Sequence, residues 1–337
     1  MAGLSDWEVM RTDVIFLSAP DAIRLYYGST FLRGRQLTEL LSARLSDRYS
    51  FTFTTDRQQT DSVVVLTKGF LAGASPQSLA DLKAGRNILL ADPVDLGMPV
   101  ADLIALAAMV DGFVASSKLQ MAALRKQFPD KPCHLVTHNV DQRLPVFEPP
   151  GDRLRLAYIG LLQNCRYLNE LGQLAEIVET PSGGSPDVWM ARLPEFNCHY
   201  SLRRPDDTFG FKPFIAGLFS RARGSIVFRP SAKGLFGRPH DFVVFKPFTK
   251  GFTAAHCLSP ILTERDESDA QFYLPDDYPF FLPAGGWNEV SDAIGRIREE
   301  FGGKSWRYAV DVMRDVRDKS SSDHVANEFI TMLRHYQ

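Results

Sequence analysis

One repeated pattern limits what this chain can fold into: short apolar runs alternate with longer stretches whose apolar residues recur every third or fourth position. DVIFLS (13–18) reads as a buried strand. GRQLTELLSARLSDR (34–48) places Leu37, Leu40, Leu41 and Leu45 on one helical stripe. SVVVLTK (62–68) is β-branched and strand-like; PQSLADLKAG (76–85) opens on proline and closes on glycine, as a helix does. NILLAD (87–92) predicts a strand, ADLIALAAMV (101–110) a helix, GFVASS (112–117) a strand, SKLQMAALRKQF (117–128) a helix and HLVTH (134–138) a strand. Apolar strands alternating with helices require a parallel sheet covered on both faces.

The alternation stops at NVDQRLPVFEPPGDR (139–153), rich in proline and polar residues, and restarts with LRLAYIG (154–160). YLNELGQLAEIVE (167–179) predicts a helix and NCHYSLR (197–203) a strand; three amphipathic stretches close the chain. A chain of 337 residues exceeds what one core usually serves. The expected fold class is α/β, with two Rossmann-like domains facing a cleft and helices at the C-terminus. Residues 1–140 form the first domain, 141–153 the linker, 154–302 the second domain and 303–337 the C-terminal helices.

Composition excludes several classes. The formal net charge of −2 gives no general basic field for nucleic acid. Four cysteines without a Cys-x-x-Cys pair argue against a zinc ribbon and a disulfide framework. MAGLSDWEVM (1–10) has no basic segment followed by an apolar stretch, so no signal peptide is expected, and the longest apolar run, 103–110, is too short to span a bilayer. The expectation is a cytoplasmic protein, with peripheral contact at the inner face of the membrane left open. No G-x-G-x-x-G follows an expected strand, which disfavours a nicotinamide-dependent dehydrogenase.

The tetrapeptide Phe-Lys-Pro-Phe occurs twice, at 211–214 and 245–248. Proline suits the first helical position, so the second copy predicts a helix from Pro247 with Lys246 at its cap and Lys250 one turn inside. Lysines in a first turn oppose the helix dipole, and an anion at the helix N-terminus would account for them. Thr249 adds a hydroxyl. The first copy has Ala216 where the second has Lys250, and is read as a neighbouring structural unit. His199, Arg203 and Arg204 lie at the end of an expected strand, where an arginine fork suits phosphate. Glu264 and Asp266, beyond another strand, suit hydroxyl recognition. In the first half, Gly28, Arg33 and Gly34 join the first strand to its helix. Asp92, Asp95 and His138 are the groups that could accept a proton from a hydroxyl.

The run Lys-Pro-x-x-Lys-x-x-x-Ala at 246–254, the following Pro-Ile strand, the acidic loop and DDYPF (276–280) resemble the donor-binding half of GT-B glycosyltransferases of bacterial polysaccharide synthesis. AYIGLLQNCRYLNEL (157–171) resembles their strand, glycine loop and helix entry, bringing Gly160 and Asn164 to the donor side; VDGFVASSKLQMAALRKQF (110–128) followed by HNVD (138–141) resembles the last unit of their first domain and its crossing linker. The resemblance implies transfer of a sugar from a nucleotide-activated donor to a glycan or glycolipid acceptor. It implies no metal or other cofactor: Lys246 and Lys250 would neutralise the diphosphate leaving group. The glutamate pair of the widespread retaining signature is not in register, so stereochemistry and sugar identity stay open. A non-catalytic binding or assembly protein of the same shape and a sugar-nucleotide epimerase are the alternatives. Oligomeric state is not readable.

Overall fold

The computed structural model describes residues 11–24, 28–95, 100–180, 186–202, 246–267, 269–283 and 285–337. The first half contains six strands: β1 (Thr12–Leu17), β2 (Tyr49–Thr54), β3 (Val63–Leu66), β4 (Ile88–Ala91), β5 (Gly112–Ala115) and β6 (Cys133–Leu135). They form one parallel sheet in the order β2-β1-β3-β4-β5-β6. Among the described residues of the second half, β7 (Leu156–Gly160), β8 (Glu176–Glu179), β9 (Cys198–Ser201) and β10 (Ile261–Thr263) make a parallel sheet in the order β10-β9-β7-β8.

Alternation along the strands feeds two cores in the first half. Ile15, Leu17, Val64, Leu66, Leu89 and Phe113 face one way, under α2 (Pro76–Ala84), α3 (Val100–Met109) and α4 (Lys118–Gln127). Val14, Phe16, Val63, Val65, Leu90 and Val114 face the other, under Leu37, Leu40 and Leu41 of α1 (Leu37–Leu45). Period-two side chains buried on both faces explain why these strands read as continuous apolar runs. In the second half Tyr158, Tyr200, Ile261 and Leu262 pack against Phe252 of α5 (Thr249–His256), Val290 and Ile294 of α6 (Trp287–Glu299), and Trp306 and Met313 of α7 (Lys304–Lys319).

The last helix, α8 (Ser322–Leu333), returns to the first sheet. Val325, Ala326, Phe329, Met332 and Leu333 complete the core around Val14 and Phe16, with the Phe329 ring stacked 5.4 Å from Phe16. Glu328 accepts from the Thr137 N–H at 2.6 Å and its hydroxyl at 3.1 Å, just past β6. The C-terminus therefore straps the second half onto the first. No helix among the described residues is long and apolar enough to cross a membrane.

The structure corrects two sequence expectations. The helix predicted over 167–179 is one turn, Leu168–Leu171, followed by β8. Leu168, Leu171 and Leu174 have helical spacing, but Glu-Ile-Val-Glu alternates and lies at a sheet edge, where charged side chains keep the free edge wet. The strand YSFTFT (β2), also an edge strand, was not expected; its alternating serine and threonine leave it only half-buried.

Candidate functional site

Each sheet has a point where the chain leaves successive strands in opposite directions: between β1 and β3 in the first, between β7 and β9 in the second. Open parallel sheets leave a crevice beyond the strand ends at such points.

At the first, Thr67 bridges the strand ends, its hydroxyl donating to the Leu17 carbonyl at 2.8 Å. The next residue, Lys68, pairs with Asp95 (Nζ to Oδ1, 2.5 Å). Burial by itself would raise the Asp95 carboxyl, but the charge of Lys68, then that of Lys246, outweighs it and holds the group well below the usual carboxylate range. Lys246 lies in the second half of the chain, so the two halves meet electrostatically at Asp95.

Asp92 and Arg33 are each 1% exposed. Arg33 Nε donates to Asp92 Oδ2 at 2.7 Å, and Nη1 donates to the carbonyls of Val136 at 2.7 Å and Thr137 at 3.3 Å. This buried pair ties the π-helical turn Phe31–Gln36 to the ends of β4 and β6. Burial raises the Asp92 carboxyl against the pull of Arg33. A Cβ on Gly34 would stand 2.4 Å from the Phe53 ring, so this glycine serves close packing. Gly28 is exposed, at φ 75°, and opens the helical turn Gly28–Thr30. His138 is buried; its Nδ1 lies 3.0 Å from the Asn139 carbonyl, a contact that fits only Nδ1–H and leaves the lone pair on Nε2. Burial, then the Arg33 charge, lowers this imidazole to about 4, so it is neutral at pH 7.

At the second switch point, β7 ends on Gly160 and the 3-10 turn Leu162–Asn164 follows, with the Asn164 N–H donating to the Leu161 carbonyl at 3.0 Å. The Tyr158 hydroxyl donates to the same carbonyl at 2.7 Å. Lys250 lays its ammonium 3.9 Å from the Tyr158 ring centroid, within cation–π range. A Cβ on Gly160 would stand 2.9 Å from the Tyr158 hydroxyl and 3.3 Å from Lys250 Cε. Glycine here gives the lysine stem its room. His199, on β9, is 5% exposed; burial and then the Lys250 charge lower it to about 4. Among the described residues its Nε2 has no hydrogen-bond partner.

The helix carrying Lys250 starts two residues later than the proline predicts. Thr249 is its first residue; Lys246 and Pro247 precede it outside any helix or strand. The Thr249 N–H turns back to the Pro247 carbonyl at 2.7 Å, and its hydroxyl lies 3.3 Å from the same oxygen. Phe248, between them, folds its ring against Phe252 and Tyr273. Gly251 permits this, since a Cβ there would stand 2.0 Å from the Phe248 ring. Burying that ring takes Phe248 out of helical geometry and puts Lys250 at the second helical position.

The acidic loop divides in three. Glu264 forms a forked pair with Arg166 (2.7 and 3.2 Å), although burial raises its carboxyl overall. Asp266 is exposed. Asp269 crosses to the first half, accepting from the N–H groups of Lys118 at 2.5 Å and Leu119 at 3.1 Å in the first turn of α4. Lys68, Arg166 and Tyr158 were not anticipated. Lys68 carries a readable signal, because it closes the expected strand 62–68. Arg203, Arg204 and the first Phe-Lys-Pro-Phe copy lie outside the described residues.

No protein-family model matches the chain, and no curated protein matches it by sequence. Solved structures match it in fold. Sucrose-phosphate synthase of Thermosynechococcus elongatus aligns over 97% of this chain and 99% of its own, at TM-score 0.56 and 13% identity. A glycosyltransferase of Rickettsia africae aligns over 97% and 98%, at 0.55 and 8%. HepE of Anabaena, in complex with UDP, aligns over 97% and 100%, at 0.54 and 9%. The architecture is thus that of the GT-B glycosyltransferases, as the sequence resemblance implied.

Proposed function

We propose that the chain is a glycosyltransferase that moves a sugar from a nucleotide-activated donor to a glycan or glycolipid hydroxyl. The observation that supports this reading most is the GT-B architecture, with the charge of Lys246 from the second half acting on Asp95 in the first. A basic segment leading into a helix N-terminus faces an ionised carboxylate on the opposite crevice. Lys246 and Lys250, at the N-terminal end of α5, would hold the donor diphosphate and stabilise the charge that grows on it as the glycosidic bond breaks. No metal is needed for that role. Gly160 and the turn to Asn164 would let the donor approach the backbone, with His199 beside it.

Asp95 would accept a hydrogen bond from the acceptor hydroxyl and take its proton as the bond to the sugar forms. Neutral His138 is the alternative proton acceptor. HepE has been seen with UDP, with UDP and glucose, and with UDP-glucose, so uridine diphosphate sugars are the first donors to test.

The test pairs two variants in a donor panel, measuring binding by thermal shift and turnover by release of nucleoside diphosphate. Lys250→Ala should lose nucleotide affinity; Asp95→Asn should keep it and lose transfer. Unchanged affinity in Lys250→Ala and Lys246→Ala would refute the donor site. A second reading, a non-catalytic binding protein, is favoured by the Lys68–Asp95 pair, which lowers the carboxylate's basicity. It predicts nucleotide-sugar binding with no nucleoside diphosphate released.

A further inference from the structure

The loop that carries Asp95 is held by a residue to which no motif points. Val94 sits at φ 52° and is 1% exposed. A β-branched residue is strained in the left-handed region and stays there only when its surroundings force it. Gln120, in the first turn of α4 and 4% exposed, supplies the restraint. Its Nε2 donates to the Val94 carbonyl at 2.5 Å. Its Oε1 accepts from the Ser116 N–H at 2.8 Å and the Ser116 hydroxyl at 3.2 Å, and its own N–H donates to Ser117 Oγ at 3.0 Å. Both ends of the amide are thereby fixed. The same helical turn receives Asp269 from the second half of the chain. One turn of helix thus touches the strained loop through a side chain and the other domain through its backbone.

We propose that Gln120 is a positioning residue: it fixes the Val94–Asp95 peptide so that Asp95 meets Lys68, and through α4 it links that geometry to the seating of Asp269. The bond to the Val94 carbonyl sets the plane of the peptide from which Asp95 starts. A rotation there would carry the Asp95 carboxylate away from its 2.5 Å contact with Lys68. Asp269, joined to Lys118 and Leu119, sets where the first turn of α4 lies, and Gln120 projects from that turn. The proposal relies on the glycosyltransferase reading only for the consequence on turnover.

Gln120→Glu isolates the bond, since it keeps the side-chain length and the acceptors for Ser116 but sets a carboxylate against the Val94 carbonyl. Hydrogen exchange of peptides covering Asp92–Asp95 should accelerate about tenfold or more, while those covering β3 stay unchanged. Asp269→Ala should loosen the same loop without touching it. With a donor identified, kcat should fall about tenfold with the donor KM unchanged, the mark of a group that aligns rather than binds. Adding Val94→Gly, which removes the strain, should recover part of that loss. Where Gln120→Glu fails to fold, Gln120→Met carries the same readouts. Unchanged exchange at Asp92–Asp95 in a folded variant overturns the proposal, as does a rise spread equally over β3. A loosened loop in a protein whose wild type turns over no donor refutes the proposed function and leaves this inference standing.

Discussion

The contact of Asp269 with α4 should make stability depend on pH in a direction opposite to that of an ordinary ion-paired carboxylate. Burial raises this carboxyl from 3.8 to about 6, against the pull of two backbone N–H groups and Lys118. The folded protein therefore binds a proton near pH 6 that the unfolded chain takes up only near pH 4, and stability falls as pH rises through that window. With those two values, lowering the pH from about 7.5 to about 5 adds about 1.4 kcal/mol from this one group; the full difference, about 3 kcal/mol, is reached only below both values. Asp269→Asn removes the titration, keeps one carbonyl oxygen for the helix N–H groups and matches the side chain in size. The measurement is urea unfolding of both proteins at the two pH values, compared as a difference of differences so that all other titrating groups cancel. The wild type should gain about 1.4 kcal/mol more than the variant on going to the lower pH. Equal gains would show that Asp269 is not buried against α4 at neutral pH, and the seating of the two halves on that helix would have to be abandoned.

Three further outcomes test other parts of the structure. Lys250→Met keeps the aliphatic stem over Tyr158 and removes the charge, so nucleoside diphosphate affinity should fall about tenfold or more; because that charge helps lower His199, the imidazole titration followed by NMR should move up from about 4. Gly160→Ala places a Cβ 2.9 Å from the Tyr158 hydroxyl, which must give up its bond to the Leu161 carbonyl; the variant should fold, and calorimetry should show about tenfold weaker nucleotide binding. Phe329→Ala opens a cavity against Phe16 and should cost about 3–5 kcal/mol in chemical denaturation; a loss below about 1 kcal/mol would mean that α8 is not part of the first core.

The parallel sheets were legible because their central strands are buried on both faces: the runs containing Val63–Leu66, Leu89 and Leu90, and Phe113–Ala115 have no other use for so many adjacent apolar residues. The edge strands β2 and β8 were not, since half-buried edges carry Ser, Thr and Glu that read equally well as loop or helix. The amphipathic stripe of α8 announced a helix but not the sheet it would cover. Lys246 and Lys250 stood out as a lysine pair at an expected helix start, and Asp95 as a carboxylate after an expected strand. Their relation could not be read, because the electrostatic reach of a segment before α5 to a loop after β4 is settled by how two sheets seat, which has no period in the sequence. The start of α5 was misplaced for a local reason: proline at 247 and the bulk of Phe248 compete, and burial of the ring prevails.

Several charged groups at the seam are set by partners on more than one element, which bears on how the seam can work. Asp95 is held ionised by Lys68 from its own half and by Lys246 from the other, whereas Asp269 is pushed toward its neutral form against α4. Drawing the halves apart would remove Lys246 from Asp95 and give Asp269 back to water, so the first group would become more basic and the second more acidic. A diphosphate bound by Lys246 would act on Asp95 in the same sense, by offsetting the lysine's charge. Donor binding and proton acceptance would then be coupled: the carboxylate would gain basicity only when the anion it must work beside is in place. Titrating the Asp95 carboxyl by NMR with and without nucleoside diphosphate tests this coupling directly. Its pKa should rise on nucleotide binding in the wild type, and the rise should shrink in Lys246→Met, where the charge being offset is already gone.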